Sequence, residues 1–309
     1  MERRDFLKYM LMGGVAMMTR PIESFATNTR VVGPVAKRLT ILHTNDVHSH
    51  IDAFPANDEK YPGMGGYARR AAYIKQVREN TYRELLVFDC GDMFQGTPYF
   101  NFYKGKLEIS LMNKMGIDAV TIGNHEFDNG LDILLDRVQE ANFPFLNANY
   151  QFKDQRAQKL IRPYKVFERC GRRIGVFGLG VKLSGLVSKV NFGDTKYKDP
   201  ISVADELARQ LKRDEHCDLV IAITHIGYEM GSQPDDLKLA AKTRYLDIIL
   251  GGHTHTFLPE PTFVDNVVGK KVLVNQVGYA GLYIGHIDIN FDGERAWACG
   301  GDSHNIIMA

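Results

Sequence analysis

The stretch AVTIGNHEFD, at residues 119–128, decides the fold class of this 309-residue chain. Residues typical of a buried strand are followed by a glycine and then by polar side chains that include Asn124, His125 and Asp128. Open α/β sheets place their functional sites beyond the carboxyl ends of their strands. Packing alone gives little reason for a strand to end in several polar residues. The stretch therefore predicts a site at one edge of an α/β sheet.

Further stretches have the same form, an apolar run that ends in acidic residues or histidines. They are LTILHTNDVH at 39–48, LLVFDCGD at 85–92, LVIAITH at 219–225 and IILGGHTH at 248–255. Other apolar runs predict strands at 144–148, 174–179 and 272–277, and periodic stretches predict helices at 67–79, 107–115, 131–141, 203–213 and 236–242. The alternation of strands and helices indicates an α/β domain with parallel or mixed sheets covered by helices.

Two local features refine this pattern. Ser202 precedes apolar residues at helical spacing and is predicted to cap the helix at 203–213. The tail LYIGHIDINF, at 282–291, alternates apolar and polar residues and runs into Asp292 and Gly293. This pattern predicts an antiparallel hairpin strand with a tight turn.

The first stretch places an acid and a histidine two residues apart, at Asp46 and His48. On an extended strand end, residues i and i+2 point the same way, so one carboxylate and one imidazole can hold a single metal ion. The structural alternative is a strand-end turn with an incidental histidine. We therefore take the pair as candidate metal ligands.

Asp92 follows a fully apolar strand and a glycine. A single carboxylate can bridge two cations at roughly 3.5–4 Å, which is the separation used for in-line displacement. The alternative is that Asp92 caps the next helix. Only its position relative to the other motifs separates the two interpretations.

The densest motif supplies three candidate residues. The amide oxygen of Asn124 is a reasonable metal ligand. Asp128 follows His125 by three residues, so within a helical turn its carboxylate can contact the imidazole and raise its basicity. A protonated histidine can stabilise a phosphoryl oxygen or protonate a departing alkoxide.

The two remaining motifs supply histidines after buried strands. A lone histidine such as His225 is often a satisfied polar group. The GGHTH string is more specific, because His253 and His255 again lie two residues apart and the glycines permit close backbone approach. Zinc, manganese and iron all accept mixed imidazole and carboxylate ligands, so the ligand list leaves the metal open.

The first 26 residues have the order of a secretory signal: paired arginines, a modest apolar stretch and a small-x-small ending. The arginines followed by FLK resemble a twin-arginine export signal. We expect an exported, periplasmic protein, with an irregular lead-in at 27–38 and one catalytic domain at 39–309. The apolar stretch is too short for a stable membrane anchor.

Bulk composition excludes some functions. The leader carries four of the 38 basic and three of the 37 acidic residues, so the remainder is balanced at 34 of each. Without a basic stripe, nucleic-acid binding is not favoured. Cys90 and Cys217 border apolar runs and are expected to be buried free thiols.

Taken in order, these motifs resemble those of the calcineurin-like metallophosphoesterases, and the resemblance extends from residue 39 to about 290. Asn45 before Asp46, the extension to Gln95 and Gly96, Phe127 with Asp128, and LNAN at 146–149 look more narrowly like the 5′-nucleotidase branch. The resemblance implies a two-sheet α/β/β/α sandwich with mixed sheets.

The resemblance also implies site roles. It assigns one metal to Asp46, His48, Asp92 and His255, and a second metal to Asp92, Asn124, His225 and His253. His125 and Asp128 correspond to the catalytic pair. Two divalent ions, of manganese, zinc, iron or cobalt, would neutralise charge on the phosphoryl oxygens.

We therefore expect a phosphohydrolase that acts on phosphate monoesters, foremost on nucleoside 5′-monophosphates. One alternative is a phosphodiesterase or pyrophosphatase for 2′,3′-cyclic nucleotides or UDP-sugars, and sulfur-ester hydrolysis is more remote. An alternative of another class is a catalytically silent metal-binding module. Nucleotidases of this kind carry a C-terminal domain that binds the base. Either this chain is a broad phosphatase of low specificity by itself, or a separate polypeptide supplies that half, and we favour the second.

Overall fold

Apolar runs from two halves of the chain form the parallel centres of two mixed sheets. In a computed structural model, which describes residues 38–80, 83–292, 296–299 and 304–308, the strand order of the first sheet is β14-β13-β1-β2-β3-β4, with β15 also paired to β13. These strands are Arg38–Thr44 (β1), Arg83–Asp89 (β2), Ala119–Thr121 (β3), Phe145–Leu146 (β4), Tyr283–Asp292 (β13), Ala296–Cys299 (β14) and His304–Ile307 (β15). Strands β1 to β4 pair in parallel, and β13 pairs antiparallel with β1, β14 and β15.

The second sheet has the order β11-β12-β10-β9-β7-β6. Its strands are Tyr164–Arg169 (β6), Arg172–Gly180 (β7), Leu219–His225 (β9), Ile248–Leu250 (β10), Thr262–Asp265 (β11) and Lys271–Asn275 (β12). The central strands β7, β9, β10 and β12 are parallel, and β6 and β11 close the edges in antiparallel pairs. Tyr150–Gln151 (β5) and Lys196–Tyr197 (β8) form a separate two-stranded ladder.

Helices cover the outer faces of both sheets. Their bounds are Tyr67–Arg78 (α1), Pro98–Tyr103 (α2), Lys106–Met115 (α3), Leu131–Glu140 (α4), Gln155–Leu160 (α5), Lys189–Phe192 (α6), Pro200–Arg213 (α7) and Asp236–Lys242 (α8), with a 3₁₀ turn at His125–Phe127. The predicted helices are all present. The short helices α2, α5 and α6 carry no periodic apolar pattern long enough to predict them.

Three apolar layers follow from the two-residue alternation of the strands. Leu39 and Ile41 of β1 pack in one buried cluster with Ile221 and Ile223 of β9, so this cluster lies between the sheets. Leu42, with the opposite orientation, packs with α1, α3 and α4. The outer face of the second sheet packs on α7 and α8. The result is the expected α/β/β/α sandwich with mixed sheets.

One predicted cap is wrong. Helix α7 begins earlier than expected because Pro200, whose φ suits a first helical turn, occupies that position. Asp199 is the N-cap, and its side chain accepts a hydrogen bond from the backbone N–H of Ser202 at 2.8 Å. Ser202 therefore lies inside the first turn.

The described residues include no helix with the length and apolar character needed to cross a bilayer. The described residues belong to one compact unit. The predicted export signal at 1–26, the lead-in up to residue 37 and the turn at Gly293 lie outside the described residues. Cys90 and Cys217 are buried free thiols, as expected.

Candidate functional site

The predicted ligands gather where the carboxyl ends of β1, β2, β3, β9 and β10 meet. Three groups of ligand atoms each lie within 4.8 Å of one another. They are Asp46, His48 and His255; His48, Asp92 and His125; and Asp92, His225 and His253. The first group contains three of the four residues of one predicted metal set, and the third contains three of the four of the other. The second group connects them through His48 and Asp92.

The backbone is strained at these positions. Asp46, His48, Asp92, His253 and His255 all have φ between 49° and 80°, in the left-handed region that non-glycine residues seldom adopt. Such conformations cluster at functional sites, where the surrounding structure holds them. The expectation that each i, i+2 pair lies on an extended strand end is therefore wrong. Instead, tight turns after the strands orient the side chains, and they send His253 and His255 to different groups.

The carboxylate of Asp46 faces several imidazoles. Its Oδ1 lies 3.2 Å from Nε2 of His255, 3.8 Å from Nε2 of His225 and 3.9 Å from Nε2 of His48. His48 and His255 also approach each other, with their Nε2 atoms 2.9 Å apart. Ligand atoms from three strand ends thus converge on one point, as they do around a bound cation.

His225 joins the two carboxylates from inside the protein. Its Nδ1 donates to the Cys90 carbonyl at 2.8 Å, which leaves Nε2 3.0 Å from Oδ2 of Asp92. Burial alone would lower the pKa of His225, but the charges of Asp92 and Asp46 raise it to about 10. These carboxylates therefore require a positive charge between them, supplied by a proton on His225 or by a cation.

A buried oxygen without a hydrogen-bond partner also indicates a cation at this site. Asn124 is buried, and within the described residues its Oδ1 has no hydrogen-bond partner. The next backbone N–H, that of His125, donates to Oδ1 of Asp92 at 2.8 Å. A buried carbonyl oxygen left without a donor is costly, whereas a divalent cation accepts it as a ligand. The side chains present therefore fit a divalent metal.

Burial favours the neutral, metal-binding form of two further imidazoles, those of His48 and His253. It lowers the pKa of His48, and it lowers that of His253 to about 4. The Nδ1 of His48 lies 3.3 Å from the Phe94 carbonyl, which directs Nε2 into the site. Such outer contacts fix the tautomer of a ligating histidine.

The His125–Asp128 contact expected from the three-residue spacing is present. Within the 3₁₀ turn, Nδ1 of His125 lies 2.8 Å from Oδ2 of Asp128, and both side chains are about one-third exposed. Burial lowers the pKa of His125, but the hydrogen bond to Asp128 and the charge of Asp92 raise it above its usual value overall. The imidazole thus lies at the solvent side of the ligand groups with one nitrogen already engaged.

Sequence reasoning missed the role of Glu126. Its buried carboxylate accepts backbone N–H groups from Asp92 at 2.9 Å, Met93 at 3.0 Å and Gly123 at 2.7 Å. It therefore joins the loop after β2 to the loop after β3. Burial, with the nearby charge of Asp92, raises its pKa to about 8. The only available signal was its position inside the GNHEFD motif.

Asn45 is a second such residue. Its Nδ2 donates to Oδ2 of Asp46 at 2.7 Å and to the Gly278 carbonyl at 2.6 Å, and its Oδ1 accepts from the Val277 N–H at 2.9 Å. One amide therefore orients a predicted ligand and fixes the loop after β12. Sequence spacing gives no sign of this contact, because it joins residues more than 200 positions apart.

Comparisons with known proteins identify the family of this chain. The sequence model of the calcineurin-like phosphoesterases matches residues 39–257. The chain is 36% identical to the snake venom 5′-nucleotidase of Crotalus adamanteus over 275 residues, which cover 82% of this chain and 45% of that protein. It is 31% identical to the trifunctional nucleotide phosphoesterase YfkN of Bacillus subtilis over 286 residues, or 82% of this chain and 18% of that protein.

Among solved structures, the 5′-nucleotidase precursor from Thermus thermophilus superposes with a TM-score of 0.78 at 32% identity. The match covers 88% of this chain and 54% of that structure. The chain thus spans about half the length of the nucleotidases it resembles. By sequence and by fold, it belongs to the calcineurin-like phosphoesterases, on the branch that contains the 5′-nucleotidases.

Proposed function

We propose that this chain is a phosphohydrolase that binds two divalent metal ions and cleaves phosphate monoesters, foremost nucleoside 5′-monophosphates. The observation that carries the proposal is the position of Asp92, which shares one candidate ligand group with His48 and another with His225 and His253. A carboxylate in that position is suited to hold two cations at the separation that phosphoryl transfer uses. The similarity to 5′-nucleotidases supports the choice of substrate.

In this proposal Asp46, His48, Asp92 and His255 hold one ion, and Asp92, Asn124, His225 and His253 hold the other. The bound ions supply electrostatic stabilisation of the phosphoryl oxygens and lower the pKa of water. Asn45 and Glu126 are positioning residues, because both are buried and they hold the Asp46 side chain and the Asp92 backbone by hydrogen bonds.

His125 and Asp128 form the catalytic pair. Asp128 holds the imidazole through Nδ1, which leaves Nε2 to contact the ester. From that position a protonated His125 can stabilise a phosphoryl oxygen and donate a proton to the departing alkoxide. The roughly one-third exposure of both side chains is consistent with access from the substrate side.

The test is metal removal followed by reconstitution. A chelated sample should lose AMP hydrolysis and regain it with manganese, zinc or cobalt, while metal analysis should give two ions per chain in the active form. Recovery of thermal stability on metal addition provides a readout separate from activity. Activity that is indifferent to chelation and return would contradict the proposal.

A second candidate function is supported by the similarity to YfkN, whose name describes a trifunctional nucleotide phosphoesterase. The same two ions can serve a diester or a pyrophosphate bond, because the choice of leaving group depends on the pocket walls. A panel of AMP, a 2′,3′-cyclic nucleotide, a UDP-sugar and an aryl phosphate would separate the two. No turnover on any of them, in a sample with two bound ions, would favour a metal-binding module without catalysis.

Export to the periplasm is part of the proposal and rests on the leader motif at residues 1–26. Fusing this segment to a reporter and comparing it with an Arg3→Lys/Arg4→Lys variant would test the twin-arginine route. We also propose that polypeptide outside residues 1–309 completes base binding, as the greater length of the matched nucleotidases suggests. Sizing the native protein, purified under mild conditions, tests this: a monomer that selects AMP unaided would contradict it.

A further inference from the structure

A continuous set of aromatic side chains runs outward from the candidate metal site. The imidazole of His255 stacks on the ring of Tyr279, with centroids 5.2 Å apart and planes 18° apart. Tyr279 contacts Tyr61 at 6.1 Å and Phe257 at 5.7 Å, both edge to face. Tyr61 in turn contacts Phe54 at 5.5 Å. Phe54, Tyr61, Phe257 and Tyr279 together form the aromatic patch.

The patch keeps its rings partly exposed. All four are intermediate in exposure, whereas core rings such as Phe127 and Phe145 are completely buried. The patch borders His255, whose side chain is 41% exposed and opens toward solvent. Partly exposed rings beside convergent polar groups are the usual lining of small-molecule sites. The roles proposed for the candidate ligands and for the His125–Asp128 pair do not explain why these four rings are partly exposed.

Tyr279 is held firmly against the ligand turns. On one side, Gly278 N–H donates to the Thr256 carbonyl at 2.9 Å. On the other side, Ala280 N–H donates to the carbonyl of Asp46 at 2.8 Å. The position of this ring relative to the site is therefore set by the backbone of a predicted ligand, and little ordering would remain when a ligand binds.

Tyr61 is fixed by its own loop. Its N–H donates to Oδ1 of Asp58 at 2.6 Å, and the N–H of Phe54 donates to the Met64 carbonyl at 2.8 Å. The ammonium of Lys60 lies 5.1 Å from the Tyr61 ring centroid. The patch thus combines flat apolar faces with a positive charge at its rim.

From this arrangement we infer that the aromatic patch is a stacking surface for a planar heteroaromatic leaving group, with Tyr61 as its main contact. The inference rests on the phosphomonoesterase function proposed above and names the part of the substrate that this chain itself recognises. Stacking tolerates any nucleobase because each has a π face. The patch therefore favours nucleotides over sugar or alkyl phosphates without selecting one base.

The test compares AMP with ribose 5-phosphate, which carries the same ester without a base. The Tyr61→Ala substitution should raise KM for AMP by about tenfold, which is within the range of stacking losses. It should leave kcat for AMP, and both kcat and KM for ribose 5-phosphate, within twofold of the values for the unmodified protein. Tyr61→Phe should behave as the unmodified protein does. The matched control is Tyr245→Ala, a half-buried tyrosine that contacts Arg213 and precedes β10 at the end opposite His253.

Several outcomes would overturn the inference. Equal losses on both substrates would indicate a structural role for Tyr61. Equal kcat/KM for AMP and ribose 5-phosphate in the unmodified protein would exclude base recognition and leave the phosphomonoesterase function standing. If the metal-loaded protein cleaves neither ester, the proposed function fails. In that case the stacking inference is tested separately, by calorimetric measurement of adenosine binding. Weaker binding to Tyr61→Ala than to the unmodified protein supports the inference, and equal binding overturns it.

Discussion

Two fully buried histidines at strand ends have opposite electrostatic environments. His43 in β1 lies 2.9 Å from the Asn275 amide, and His225 in β9 lies 2.8 Å from the Cys90 carbonyl. Burial lowers the pKa of His43 to about 3. Burial acts in the same direction on His225, but Asp92 and Asp46 reverse it and raise the pKa to about 10.

The difference shows what turns a core histidine into a site residue. Both follow apolar strand residues, and both make one ring hydrogen bond to an uncharged group. His43 is a neutral packing residue, because burial penalises its charged form. His225 lies beside carboxylates that follow other strands. At this buried position their negative charges favour a protonated imidazole or a bound cation.

The largest effect on activity is expected from removing the negative charge of Asp92. Asp92→Asn keeps the size of the side chain but removes the negative charge shared by two ligand groups. Bound metal should fall at both sites, and kcat/KM should drop by at least about 10³-fold, more than the loss of one oxyanion donor typically costs. In the metal-free variant the pKa of His225 should also fall, as measured by NMR titration. A variant that retains both ions would contradict the bridging position.

A smaller effect is expected at His125, an imidazole that contacts one carboxylate and lies partly in solvent. His125→Ala should lower kcat by about 10²–10⁴-fold, the usual contribution of a general acid, and leave metal content unchanged. Steady-state kinetics and metal analysis on the same preparation measure both. Loss of metal along with activity would instead make His125 a ligand, as its proximity to His48 and Asp92 allows.

The smallest effect is on the free energy of unfolding, and it tests whether His43 is neutral in the folded protein. His43→Leu should cost about 1 kcal/mol at pH 8, because Asn275 loses one partner, and should leave metal content unchanged. The pKa of His43 is depressed in the folded state, so below about pH 6.5 the unfolded chain binds the extra proton. The contribution of His43 to the free energy of unfolding then falls by about 1.4 kcal/mol for each pH unit below that point.

Leucine has no proton to bind, so His43→Leu should become the more stable form by about pH 5. Denaturant unfolding at pH 5, 6, 7 and 8 measures the crossing. Parallel stability curves for the two proteins would show that His43 is not held neutral.

Periodicity predicted the long helices and the central strands, because their burial depends on residues close in sequence. It placed the N-cap of α7 at Ser202, whereas Asp199 caps the helix and Pro200 is its first residue. It also treated Asp46 and His48 as a strand-end pair. Their left-handed backbone depends on contacts with the loop after β2, such as the hydrogen bond from Asp46 N–H to the Gly91 carbonyl at 2.9 Å.

The sequence by itself determined the residue types at the strand ends, and from them the family resemblance and the list of candidate ligands. Only the tertiary structure decided that the turns carrying the candidate ligands have left-handed backbone, that Glu126 and Asn45 hold the loops together, and that Tyr61 contacts Tyr279, which stacks on His255. The physical reason is that local patterns report which side of a strand or helix is buried. The charges and rings that meet at a site come from distant segments, and only packing of the two sheets brings them together.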